Sequence, residues 1–449
     1  MSTRATLKRQ LGLRTATALV VGEVIGVGIF LTPAGMAKSL GSPALVLVVW
    51  LLMGVMALCG ALCYGELAAR YPEAGGGYVY LREAFGAPVA FLYGWMALLV
   101  VDPGLTAALA VGLGSYAGYS LKLSAVGIKI VAVAAILVLA AINVRGVRLG
   151  AGFVRWLTLV KVGLLLFVLL WGFVFGLGDW SNFAPLVARR AGSDALTLAL
   201  AGGTVSAFFS FGGWWDVSKV AGEVREPART LPRALVSGVL AVTLIYILTS
   251  AAFIYLVPVE RVTSGETFAA QAGEALFGPT GGQVFSAVVI FAVLGSLAVI
   301  IMSFPRVYFA MARDRLFFES AAALHPRYGT PARAIVIQAV LASVLVLTGK
   351  FGQIINFFIF VVVLFVGLTV AGLFVVRRKG RGRPEYTTPL YPVTPVIFLL
   401  LTLLLLALLG VGSPKQASLG CIVVALGLPV YYLLFRRGQA AHHRIGEEN

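Results

Sequence analysis

Apolar runs of about twenty residues, parted by short polar stretches, make up most of this chain. A bilayer core needs about 20 mostly apolar residues per helix. Measured that way, the pattern predicts about twelve membrane helices: 16–38, 43–68, 87–119, 123–142, 153–177, 195–219, 234–257, 281–313, 332–349, 352–376, 392–412 and 416–435. The runs at 87–119 and 281–313 are long enough to imply tilt or extension beyond the bilayer. Such a chain is an all-α membrane protein, one transmembrane domain over 1–435 followed by a tail at 436–449.

Two runs are interrupted. The first reads GEVIGVGIFLTP (22–33), with Gly22, Gly26 and Gly28 in what is otherwise a helix pattern. Glycines four apart also serve close helix packing, but that does not account for Gly28 or for the Thr32–Pro33 pair. The second is FFSFGGWWD (208–216), with Gly212–Gly213 set among aromatic residues in the sixth run. An aromatic belt at the membrane surface is the simpler reading, and the depth of the stretch, after apolar 195–207, argues against it. Backbone freed by a break cannot face lipid, so a broken membrane helix lines a cavity. Breaks in the first and sixth spans are what an inverted repeat of five helices produces, and they mark a binding site. The repeats would be 16–177 and 195–376, with 392–435 as two additional helices.

Composition narrows the class. The chain is 60% hydrophobic and 12% charged, too little charge to wet the exterior of a soluble fold of 449 residues. Its net charge of +17 has no basic soluble domain to reside in, which sets nucleic acid aside. With the N-terminus inside, alternate loops divide Lys and Arg twenty-six to eight, and Lys161 belongs to neither set. That split places both termini in the cytoplasm and favours an even number of spans. The basic N-terminus lacks a small-residue cleavage site and reads as a leader to the first span. Cys59, Cys63 and Cys421 all fall within apolar runs, so no disulfide-linked heavy subunit is expected.

Charges inside the runs are the remaining chemistry. Lys161 lies about 12 Å along its helix from Phe153, where snorkelling and a functional buried amine are both open. Glu23, Asp102 and Asp216 are acids within spans, by default pathway, pairing or proton-relay groups. Local roles stay open too: Asp102 precedes Pro103, and Asp216 sits where it would cap a half-helix after Gly212–Gly213. No phosphate-binding loop, HExxH, GxSxG or Cys/His cluster is present, so no enzyme, metal or cofactor is expected. A channel built on oligomeric symmetry fits twelve irregular spans poorly, and a non-transporting sensor lacks a soluble signalling domain.

Four stretches also resemble a known family: GEVIGVGIFLTPAG, GALCYGELAARYPEAGGGYVYLREAFG, FFSFGGWWDVSKVAGEVREPARTLPRAL and SFPRVYFAMARDRLFF. In that order, over roughly 12–435, the chain is similar to the amino acid–polyamine–organocation (APC) superfamily, as a bacterial relative of the L-type amino acid transporters. The resemblance implies a LeuT-like fold with discontinuous helices 1 and 6, in the bacterial inner membrane. It implies secondary active transport of small to medium neutral L-amino acids by exchange or proton-coupled uptake. A cationic amino acid or polyamine antiporter is the alternative, which the three acids favour.

The implied substrate site is main chain. Amides around Gly26, Val27 and Gly28 would cradle the α-carboxylate, and carbonyls near Phe209–Gly212 would hold the α-ammonium, with Val24, Ile25, Phe211, Gly213, Trp214 and Trp215 as further substrate-binding residues. Phe209 matches the residue that closes over the substrate. Trp214 matches the L-type pattern, whereas Trp215 replaces a smaller polar residue. Lys161 matches a fifth-span lysine at the place where sodium-coupled members of this fold bind a cation, its ammonium bonding carbonyls near Gly22 and Ser296 or a neighbour. Glu23 departs from the pattern, since small residues are usual there, and a Glu23–Lys161 pair would change protonation at the site. Asp102 is outside the pattern as well.

Overall fold

The computed structural model describes residues 7–26, 28–189, 192–257, 273, 277–348, 351–380, 384–412 and 414–435. Val27 and the tail at 436–449 therefore lie outside the described residues. These form helices and connecting turns, with one isolated β-bridge between Leu11 and Val224.

The first apolar run is two helices, α1 (Leu13–Val24) and α2 (Gly28–Leu40). Ile25 leaves helical geometry at ψ 78°. Next come α3 (Pro43–Arg70), a short α4 (Gly77–Phe85) and α5 (Ala87–Met96). A π-helical turn at Ala97–Val101 joins α5 to α6 (Asp102–Leu121). Its cause is local: Pro103 has no N–H to offer the carbonyl four residues back, so the chain widens a turn to pass it.

Two uninterrupted helices follow, α7 (Ala125–Val144) and α8 (Val147–Val174). The second break parts α9 (Leu196–Phe211) from a 3₁₀ helix at Trp214–Glu223. Gly213 at φ 104° makes that turn, a conformation side-chain-bearing residues rarely adopt. The rest is α10 (Pro227–Leu256), α11 (Gly281–Ser303), α12 (Pro305–Arg313), α13 (Ala332–Thr348), α14 (Phe351–Arg378), α15 (Val393–Gly412) and α16 (Pro414–Val430).

Among the described residues ten helices are long and apolar enough to cross a membrane. The two other predicted spans fall short by that measure for plain reasons. Residues 13–40 are split in half, and α13 has 17 residues. Apolar side chains remain on the outside of the long helices, for instance Ile130, Leu159, Leu244 and Leu403, as an integral membrane protein requires. The first broken helix sits inside: α1 packs on α8, α10 and α11, and α2 packs on α9.

Two basic residues counted among loop charges are buried within the bundle, Lys219 in the 3₁₀ helix and Arg306 in α12. The loop asymmetry keeps its direction without them. Cys59 and Cys63 are buried in α3, and Cys421 is exposed on α16. Beside the bundle, α4 is tied to the end of α12: Tyr78 and Arg82 donate to Asp314 at 2.9 and 2.6 Å. Burial alone would lower the Arg82 pKa, and the Asp314 carboxylate outweighs it, so the net shift is upward and the guanidinium stays charged.

Candidate functional site

The two breaks meet. A Cβ on Gly28 would stand 2.7 Å from Ser210 Oγ, and one on Gly213 would stand 2.7 Å from Glu23 Cγ. Each helix interruption thus needs its glycine because the other interruption is pressed against it. Thr32 Oγ1 and Ser210 Oγ share a hydrogen bond of 2.8 Å across the contact. The Tyr246 hydroxyl of α10 lies 2.6 Å from Val24 O and 2.8 Å from Ser210 O. With one proton it donates to one carbonyl at a time, and it holds both breaks in register.

A cavity opens beside this junction. Val24, Gly26 and Gly28 line it from the first break, and Phe209, Gly212, Gly213 and Trp215 from the second. Its far wall comes from the π turn and α6 (Ala97, Val101, Asp102, Leu105), from Ile300 and Phe304, and from α14 (Ile359, Val362, Phe365). The π turn therefore contributes directly to the site.

The first-turn amides of α2 have no acceptor within their own helix, and the last carbonyls of α9 have no such donor. Both ends abut the cavity, one with a partial positive and one with a partial negative charge. Ile25, Phe211 and Trp214 lie behind this surface. Ile25 offers its carbonyl to Lys161, Phe211 packs against Trp50 and Tyr246, and Trp214 packs against Tyr64 and Phe398.

Lys161, fully buried in α8, stands directly behind the first break. Its ammonium donates to Gly22 O (2.5 Å), Ile25 O (2.6 Å), Ser296 Oγ (3.2 Å) and Ala292 O (3.3 Å). Ser296 Oγ also reaches the same two carbonyls of α1, at 2.8 and 3.1 Å. Such a cage of oxygens resembles a cation site with the cation covalently attached. No snorkelling lysine would be built this way.

Glu23 turns elsewhere. Its carboxylate lies at Gly213 and faces the carboxylate of Asp216, and neither oxygen meets a hydrogen-bond donor among the described residues.

Lys219 completes the charged part of the cavity. It pairs with Asp216 at 2.8 Å and with Asp102 at 3.7 Å, and stands 3.8 Å over the Phe304 ring. Tyr308 donates to Asp102 at 2.8 Å. Asp102 and Asp216 are therefore ion-pair partners, not backbone satisfiers or caps. Sequence reading missed Lys219, Tyr308 and Tyr246. For Lys219 a signal existed: it follows Asp216 by three residues and shares its helix face.

Residues 11–433 match the amino acid permease family. The chain belongs to that family. The permease is also 32% identical to the serine/threonine exchanger SteT of Bacillus subtilis (strain 168), over 96% of this chain and 98% of that one. It is 30% identical to the mouse b(0,+)-type amino acid transporter 1, over 96% of this chain and 88% of that one. The human cystine/glutamate transporter is 30% identical, over 95% and 85% of the two chains.

The permease offers a direct probe of the junction. Tyr246→Phe removes one donor from two buried carbonyls, which costs about 1–3 kcal/mol. Transport several-fold slower, with a lower melting temperature in detergent, is the expected result; unchanged kinetics would mean that the hydroxyl does not hold the breaks together.

Proposed function

We propose that this permease carries out secondary active transport of amino acids by alternating access, using an inverted repeat of 16–177 and 195–376 within about twelve spans. The cytoplasmic membrane of a bacterium is its proposed location, with both termini cytoplasmic. The observation that carries the reading is the junction of two helix breaks at one cavity. It sets the amide end of α2 and the carbonyl end of α9 at the same space. An α-amino acid presents the complementary pair, a carboxylate and an ammonium on one carbon. Both contacts use main chain, so they accept the common part of every amino acid and leave selectivity to the walls.

Those walls favour small to medium neutral L-amino acids, moved by exchange or with protons. Phe208, Phe209 and Trp215 occupy one side of the cavity, and apolar α14 residues occupy the other. The serine/threonine exchanger among the relatives supports this substrate size. Phe209, partly exposed at the cavity, is the proposed gate. A cationic amino acid or polyamine antiporter is the second reading. It is favoured by one observation: three carboxylates line the cavity against one lysine.

Uptake of a labelled amino acid panel into proteoliposomes, with and without counter-substrate inside, tests the reading. Gly26→Leu probes the site. A Cβ there already stands 3.1 Å from Ser296 Oγ, and the rest of a leucine side chain would enter the space of the substrate carboxylate. Uptake is expected to fall to background while the protein remains monodisperse and folded. Normal uptake by this variant would refute the assigned carboxylate site.

A further inference from the structure

We propose that Glu23 and Asp216 share one proton, and that this proton is the coupling ion of transport. The inference rests on the reading of the chain as an amino acid transporter and deepens it.

The charges around the cavity do not balance without a proton. Glu23, Asp102 and Asp216 stand against Lys219 and Lys161, all buried. Lys161 spends its three N–H bonds on four oxygens at the end of α1 and in α11, and none of the four belongs to a carboxylate. Lys219 answers Asp216 and Asp102. One carboxylate is left over, and its place is known. Glu23 has no hydrogen-bond donor among the described residues and faces the carboxyl group of Asp216.

Two ionised carboxylates have only acceptors to present to each other. A single proton turns their contact into an O–H···O bond and cancels the excess charge. The other titratable groups around the pair are Lys219 beside Asp216, Asp102 from α6, Tyr93 from α5, Tyr64 from α3 and Lys161 from α8. Tyr308 reaches Asp102 from α12. Of the two cations, Lys161 is engaged with carbonyl and hydroxyl oxygens and Lys219 reaches Asp216 and Asp102 but not Glu23, which leaves a proton as the counter-charge for Glu23.

The pair also joins the parts that must move. Glu23 is in the last turn of α1, and Asp216 is in the first turn after the second break. Glu23 and Asp216 both line the cavity, so opening it to one side brings water to the pair, which solvates both carboxyl groups in their ionised form. The O–H bond breaks and the proton passes to water on the side then open. A proton taken from water on the opposite side restores the pair in the next cycle. The amino acid travels as a zwitterion without net charge, so each carries one positive charge across with it.

Proteoliposomes of the full chain decide this. With wild type, an acidic exterior is expected to raise accumulation of a neutral amino acid severalfold over symmetric pH. Alkalinisation outside, read with a pH-sensitive dye, should track the uptake. Glu23→Gln keeps a donor toward Asp216 but carries no labile proton. It is expected to lose at least about tenfold of the gradient-driven accumulation together with the dye signal, and Asp216→Asn the same. A thermal shift caused by the amino acid identifies variants that are folded and still bind.

Wild-type exchange of neutral amino acids with no response to the pH gradient would overturn the inference and leave the transporter reading standing. Proton-coupled uptake that survives in Glu23→Gln would also overturn it. So would transport restricted to arginine, lysine or putrescine with a proton released on binding, because the pair would then seat a substrate cation. Absence of binding and flux for every amino acid tested would remove the transporter reading itself.

Discussion

Lys161→Ala is expected to reduce transport by at least about tenfold while leaving a folded protein. The substitution takes one ammonium from four oxygens, two of them carbonyls at the very end of α1. A buried acceptor left without a donor costs about 1–3 kcal/mol, and about 1.4 kcal/mol already corresponds to a factor of ten in rate. Ser296 can still donate to one of the α1 carbonyls, so part of the geometry persists. What is lost is the hold of α8 on the first break, and with it the full placement of Gly26 and Gly28. Lys161→Arg is expected to fail as well, since a planar guanidinium cannot occupy a cage built for a compact ammonium. Uptake assays with a melting curve for each variant check both results. Wild-type rates in Lys161→Ala would reduce the lysine to a structural filler.

The second large effect is expected at Arg306. Its Nε donates to Glu223 Oε1 at 2.9 Å, Nη2 to Oε2 at 3.4 Å, and Nη1 to the carbonyl of Met302. Both partners of this ion pair are almost fully buried, with side chains 1% and 2% exposed. Removing one partner of such a pair strands the other charge, a cost of about 3–5 kcal/mol. Arg306→Met alone should therefore lower thermal stability steeply, and Glu223→Leu alone likewise. The double substitution should recover most of the loss, since no lone charge remains. A double-mutant cycle of melting temperatures measures the coupling. Additive losses would show that the two side chains do not depend on each other.

The junction was legible because glycine leaves a local signature. Gly26, Gly28, Gly212 and Gly213 interrupt apolar runs that otherwise read as unbroken helices, and the structure brings all four to one cavity. Lys161 was legible as an anomaly of depth, and its match to a lysine of the family pointed toward Gly22 and Ser296. The acids of the charged cluster were legible one by one, but their long-range partners were not. Asp102, Lys219 and Tyr308 are each about one hundred residues from the next, and no spacing rule connects them. Lys219 and Arg306 lie where apolar sequence gives way to charge, so hydropathy assigned them to loops, while burial against Asp216 and Glu223 keeps them inside. The π turn before Asp102 was hidden as well, since proline at that point is equally compatible with a kink. Phe211 and Trp214 show the same limit within a motif: each is next to a cavity-lining residue, Gly212 or Trp215, and itself packs away from the cavity.

The bridge between Leu11 and Val224 has a mechanical meaning. The amides of Gln10 and Leu11 donate to the Glu223 carbonyl, and Arg225 N–H donates to Leu11 O. Glu223 is at the same time gripped by Arg306. The start of α1 is thereby moored to the far end of the second interrupted span, while its other end is moored to α9 through Tyr246. A rod fastened at both ends to the same neighbour cannot tilt alone. The discontinuous spans are geared to each other, and the handful of residues ahead of the first helix is part of the gear.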